Sequence, residues 1–161
     1  MTKSKIEELE DVIKHKQYVL DSCWKMAKYL FSINEEELGL ELLRRASIHD
    51  NSKLEDEELE ALSRISEDKT TLKEASEKLT SFKIKAIELH WKNNRHHPEF
   101  FSDTKNMSEL DIIEMVCDWH ARSVQYGTNL IEFFETRQKN RFNFPKNIYN
   151  KIYKYCEIIS S

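Results

Sequence analysis

Only two glycines (Gly39, Gly127) and two prolines (Pro98, Pro145) punctuate 161 residues. Hairpins draw on glycine for positive φ and on proline for a preset φ, so a chain this poor in both cannot supply a run of strands and tight turns. A helix needs neither until it ends. The sequence therefore predicts an all-α chain, a single-domain helical bundle of about six to seven helices. Its length suits one domain that buries roughly two thirds of its unfolded surface.

Charge narrows the partners. With 34% charged residues, a net charge of −4 and a pI near 5.9, the surface is not built to grip duplex nucleic acid, which demands clustered Lys and Arg. The first residues, Met1-Thr2-Lys3-Ser4-Lys5-Ile6-Glu7-Glu8, are charged from the start, and no apolar run approaches the ~20 residues of a membrane span. Cys23, Cys117 and Cys156 are odd in number, lack metal-type spacing and fall inside helical patterns, as reduced, buried small side chains do. A cytoplasmic protein with no membrane contact is expected.

The periodicity places the elements. Ile6, Leu9, Val12, Val19, Cys23, Met26 and Leu30 predict a long amphipathic helix over 5–32, with His15 on its apolar stripe. Asn34 is expected to cap a second helix that opens on Glu35-Glu36-Glu37, buries Leu38, Leu42, Leu43 and Ala46, and ends at His49. A short acidic helix is expected over 54–66, and a longer one from Leu72 to Leu89 whose stripe His90 extends. Pro98 disfavours helix at His97, so His96 and His97 are presented on an irregular segment. Ser108 and Asp111 form a capping box opening a helix that runs to Gly127 and carries Asp118 between Cys117 and Trp119. Helices over 128–138 and 145–159, the latter opened by Pro145, read as packing elements beside a core spanning about 13–121.

The chemistry concentrates in His49-Asp50-Asn51-Ser52-Lys53. Adjacent residues of a regular helix point about 100° apart, so His49 and Asp50 can share one small target only where the backbone bends, as at a helix end. Imidazole with carboxylate suits a borderline divalent ion, and Lys53 could hold the charge of a phosphate next to it. Singly, each feature has a plain structural explanation: a surface cap, a core histidine, a solvated charge run. Together, His15, His49, Asp50 and Asp118 are two imidazoles and two carboxylates on separate helices, which a bundle can bring to one interior point. Glu57 or Glu58 could reach back to the same region.

The order His15, then His49-Asp50, then Asp118 resembles the HD-domain superfamily of metal-dependent phosphohydrolases, over about Ile13 to Ala121. It is also similar to a small group within it marked by His49-Asp50-x-Ser52-Lys53, an acidic helix with Glu57-Glu58, then His90-x-x-x-Asn94-x-His96-His97 and Met115-x-x-Asp118-Trp119. The Gly-Tyr-Pro signature of the cyclic-di-GMP-cleaving branch does not follow His97, and Lys53 stands where the nucleotidase-like branch has glutamate. The resemblance implies a metal-activated water acting on a phosphate ester of a small phosphorylated compound such as a nucleotide. It implies one divalent ion (Mn, Co, Fe, Mg or Zn) on His15, His49, Asp50 and Asp118, with a second allowed. Of His90, His96 and His97, one would complete that second site or protonate the leaving oxygen; His90 and His97 are the expected ligands and His96 the expected acid. Lys53 and Arg95, with Arg122 behind them, would neutralise phosphate oxygens, and Glu99 would orient a ring. Rival readings are a dinuclear-iron oxygenase on the same scaffold and a non-catalytic module that binds a nucleotide or a protein. The apolar residues of the last helix would serve a homodimer.

Overall fold

The computed structural model describes residues 5–55, 58, 59, 85 and 87–161. They form an all-α bundle. Helix α1 (Lys5–Ser32) packs on α2 (Glu36–Ile48) and on α3 (Glu109–Tyr126), and α3 is flanked by the C-terminal helix, numbered α6 below. Most of the acidic helix expected over 54–66 and of the helix expected over 72–89 lies outside the described residues; residues 87–93 are helical.

Local chemistry explains the helix ends. Asn34, expected to cap α2, instead terminates α1: it takes φ 63°, its N–H bonds to the Phe31 carbonyl, and the N–H of Glu35 reaches back to Leu30. That is a Schellman turn, and asparagine tolerates its left-handed position nearly as glycine does. Helix α2 follows at once, so close to α1 that a Cβ on Gly39 would lie 2.5 Å from the ring of Phe31. Helix α3 opens on the Ser108–Asp111 capping box and closes on Gly127 at φ 65°.

After α3 the chain is helical from Leu130 to Phe142, four residues past the expected end: α4 (Leu130–Phe133), a π turn (Phe134–Gln138) and α5 (Lys139–Phe142). Helix α6 (Lys146–Ser160) starts after Pro145. Its apolar stripe, Ile148, Ile152, Tyr155, Cys156 and Ile159, is buried in the chain's own core with Ile112, Val116 and Phe134, so the surface expected to serve a homodimer is used internally. Ile6, expected on the buried stripe of α1, is exposed, because the first turns of α1 run beyond the core. All three cysteines are free and buried, and burial pushes the thiols of Cys117 and Cys156 up, the latter to about 12. No helix among the described residues is long and apolar enough to cross a membrane.

Candidate metal centre

Three helices and two turns deliver histidines and carboxylates to one buried region. Helix α1 brings His15 through the stripe that also buries Val12 and Val19. Helix α2 ends at Ile48, and the chain turns sharply: His49 takes φ −51°, ψ 129° and Asp50 the left-handed φ 54°, ψ 24°. This is the bend that lets neighbours face one target, and Nε2 of His49 lies 3.6 Å from Oδ2 of Asp50. The turn is fastened by Lys16 of α1, whose ammonium donates to the His49 carbonyl and to Oδ1 of Asn51. Helix α3 supplies Asp118, with Oδ1 2.8 Å from Nε2 of His15 and 3.9 Å from Nε2 of His49.

The segment before Pro98 closes the other side. Nε2 of His90 lies 2.8 Å from Nε2 of His97 and 3.5 Å from Oδ1 of Asp50, and Nε2 of His96 lies 3.4 Å from the same oxygen. Asn94 braces this segment on the turn, donating to the His90 carbonyl and to Oγ of Ser52. The result is two adjacent ligand sets, His15–His49–Asp118 and Asp50–His90–His96–His97, each with its donor atoms within 4.8 Å of one another; His49, His96 and Glu114 make a third group that overlaps both.

These residues fit a metal. Buried polar atoms are nearly always hydrogen-bonded, yet Nε2 of His49, Oδ1 of Asp50 and Nε2 of His96 are buried with no hydrogen-bond partner. Two ligands held about 2.1 Å from one ion at a right angle are about 3.0 Å apart, so nitrogen and oxygen atoms gathered at 2.8–3.9 Å have the spacing of a coordination shell. Neutral imidazole is the ligating form. Burial holds His96 and His97 well below the ordinary histidine pKa, His97 at about 4, with neighbouring histidines adding to the effect.

Carboxylates balance them. Burial works against ionising Asp50 and Asp118, but His49 and Lys53 around the first, and His15 and His49 around the second, outweigh it and hold both well below the usual carboxylate range. Burial likewise opposes a charge on His49, yet Asp50, Glu114 and Asp118 raise its pKa. In physical terms the carboxylates demand a cation, and a proton on His49 is the smallest one that answers.

A second ring of groups lies behind the rings: Glu58, expected to reach back to this region, and Glu114, absent from the sequence expectations. Oε1 of Glu114 lies 3.0 Å from Nδ1 of His49, which turns Nε2 of that ring inward, and 3.6 Å from Nδ1 of His96. Glu114 is held by Arg45 at 2.5 Å, and Arg45 also donates to Asp111 at 2.8 Å. Oε1 of Glu58 lies 2.5 Å from Nδ1 of His90, which is also 3.1 Å from Nδ2 of Asn94. The signal for Glu114 was present: it precedes Asp118 by one turn and sits among Ile112, Ile113, Met115 and Val116. Glu57 lies outside the described residues.

Of the remaining expected residues, Lys53 pairs with Oδ2 of Asp50 at 2.5 Å, at the edge of the cluster. Arg95 is turned to Asp111, 3.2 Å away, and stacks over Phe100 and Phe101. Glu99 binds Arg141 rather than a histidine. Arg122 is exposed, one turn beyond Asp118 on α3.

Fold and site together define a helical bundle around a buried histidine–carboxylate cluster of the kind that can hold a metal ion. Residues 4–158 match the model of a family of unknown function (DUF5662), and the chain belongs to that family. No curated protein and no solved structure matches it.

Proposed function

We propose that the protein is a metal-dependent phosphohydrolase of HD-domain type, acting on the phosphate ester of a small compound such as a nucleotide. One observation carries the reading: ligand atoms of His49 in one set and of Asp50 and His96 in the other are buried without hydrogen-bond partners. His15, His49 and Asp118 would hold one divalent ion, His90, His96 and His97 a second, with Asp50 between them. When bound, such ions supply Lewis acidity, making water acidic enough to attack phosphorus near neutral pH and drawing charge from the phosphate oxygens.

The chain's own residues do the rest. Glu114, hydrogen-bonded to Nδ1 of His49, leaves Nε2 of that ring facing inward, the orienting role that carboxylates play behind metal-bound histidines, with Glu58 close to Nδ1 of His90. Lys53 holds a fixed positive charge next to Asp50, where it would meet a phosphate oxygen as charge builds in the transition state. Buried walls exclude bulk water and strengthen these interactions. Using His96 as a ligand leaves no residue assigned as the acid for the leaving oxygen.

A dinuclear-iron oxygenase is the second reading, favoured by the presence of two ligand sets rather than one. Elemental analysis of the purified chain, followed by phosphomonoester and cyclic-dinucleotide turnover with Mn²⁺, Co²⁺ and Mg²⁺, decides. The hydrolase reading expects bound metal and released phosphate or monoester. Iron with an oxygen-dependent absorbance spectrum and no phosphate release would favour the oxygenase. A chain that takes up no divalent metal sinks both.

A further inference from the structure

Helix α3 forms one wall of a cleft of about 830 Å³, and the helical run from Leu130 to Phe142 forms the other. That volume lies in the range of small-molecule sites. Arg122 and Tyr126 reach it from α3, Arg137 from the π turn, and Trp119 and Phe133 close its apolar floor edge to face at 5.9 Å.

Three independent features point to an occupant. Arg44, Arg45, Arg95 and Arg141 each reach a carboxylate, whereas Arg122 and Arg137 reach none among the described residues, and both line this cleft. Two guanidinium groups facing one space are suited to a shared anion, which they can grip with paired N–H donors. The wall that carries Arg137 leaves α-helical geometry for one π turn, Phe134–Gln138, a rare local distortion that recurs at functional sites. Finally, Tyr126, an aromatic residue of the same lining, is 64% exposed.

Glu132 sharpens the chemistry. Its carboxylate shares the cleft with the two arginines, leaving one net positive charge in the lining, suited to a small anion and not to a polyphosphate or a nucleic-acid strand. It also offers an acceptor to a hydroxyl or N–H of the ligand. We propose that this cleft binds a nucleoside monophosphate, its phosphate between Arg122 and Arg137, its base against Tyr126 and a ribose hydroxyl or base N–H on Glu132. The site is distinct from the metal centre: no residue of either ligand set lines the cleft. It stands whether or not the cluster is a hydrolase.

The test is isothermal titration of the chelator-treated chain with AMP, GMP, CMP and UMP, with inorganic phosphate and adenosine as partial probes. At least one nucleotide is expected to bind with Kd below about 1 mM, and the partial probes at least about tenfold more weakly. Arg122→Gln and Arg137→Gln are each expected to weaken binding about tenfold, and Tyr126→Ala by about fivefold or more. All three residues are exposed, so the variants should keep the wild-type helical circular dichroism, which is checked. His49→Ala, which breaks the metal centre, is expected to leave nucleotide binding unchanged. Absence of binding by every nucleotide, wild-type affinity in both arginine variants, or loss of binding in His49→Ala overturns the proposal.

Discussion

Along α3, Ile112, Ile113, Val116 and Cys117 enter the apolar core, while Asp111, Glu114 and Asp118 turn toward Arg45 and the histidines, and all seven are buried. The apolar face gains from leaving water, at roughly 25 cal/mol per Å². Burial of the carboxylate face is unfavourable until cations offset it, and the groups that do so are His15 of α1, Arg45 of α2 and His49 of the 49–53 turn. One helix thus separates two tasks: its apolar side sets the stability of the bundle, and its acidic side holds histidines in an arrangement that stability alone does not reward. Mutations on the two sides should give opposite signatures.

The largest effect is expected in the core that the apolar side of α3 enters. Phe134, fully buried against Trp119, Phe144 and Tyr149, should cost about 3–5 kcal/mol when truncated to alanine, read from the urea midpoint. The folded fraction should bind as much metal as wild type. Loss of metal in proportion greater than loss of fold would erase the division between the faces.

Next come the ligands. His49→Ala and Asp118→Ala should each lower metal affinity by more than about 100-fold, beyond the range for a supporting group, and abolish the turnover proposed above while the helical signal persists. Competition with a calibrated chelator reads the affinity. Retention of wild-type metal binding by either variant would remove the basis for treating the cluster as one site.

A smaller effect separates holding a metal from aiming its ligands. Glu114→Gln keeps the size of the side chain but replaces the charged acceptor bonded to His49 and next to His96. Metal affinity should fall by about 10- to 100-fold, with stoichiometry unchanged at saturating metal. An unchanged affinity would mean that Glu114 merely fills space between Arg45 and the rings.

Much of this was legible in the sequence, for physical reasons. The apolar spacing of α1 fixed its span and put His15 inside, and a left-handed Asp50 is one way of meeting the demand that adjacent His49 and Asp50 face one target. Asn34 misled because asparagine serves both as an N-cap and as the left-handed residue that ends a helix, and the residues on either side do not distinguish the two. Arg45 was hidden for a different reason. On a helix rich in charge it reads as solvent-facing, and only the long-range partner Glu114 shows why it turns inward. Glu99 went wrong in the same way, since Arg141, its partner, lies 42 residues along the chain.

The smallest expected effect comes from the other glutamate of α3. Glu109 sits in the first turn and reaches across to α6, where Lys151 donates at 2.7 Å and the Tyr155 hydroxyl at 2.5 Å. Burial would raise its pKa, but these two donors, with Lys151 also acting as a nearby charge, bring it below the ordinary 4.5. A folded-state pKa below the unfolded one stabilises the fold above the unfolded value, and that contribution fades as pH falls through the folded value. Both partners in the ion pair are two-fifths exposed, so solvent screens it, and Glu109→Gln should cost less than about 1 kcal/mol near pH 7. The difference between wild type and variant, measured by urea unfolding, should shrink as pH falls below 4.5 and leave metal affinity untouched throughout. A variant that loses metal would show that α6 helps to set the position of Glu114 and Asp118 through the first turn of α3. A stability difference that grows in acid would assign the stabilisation to the protonated carboxyl, reversing the sign derived from Lys151 and Tyr155.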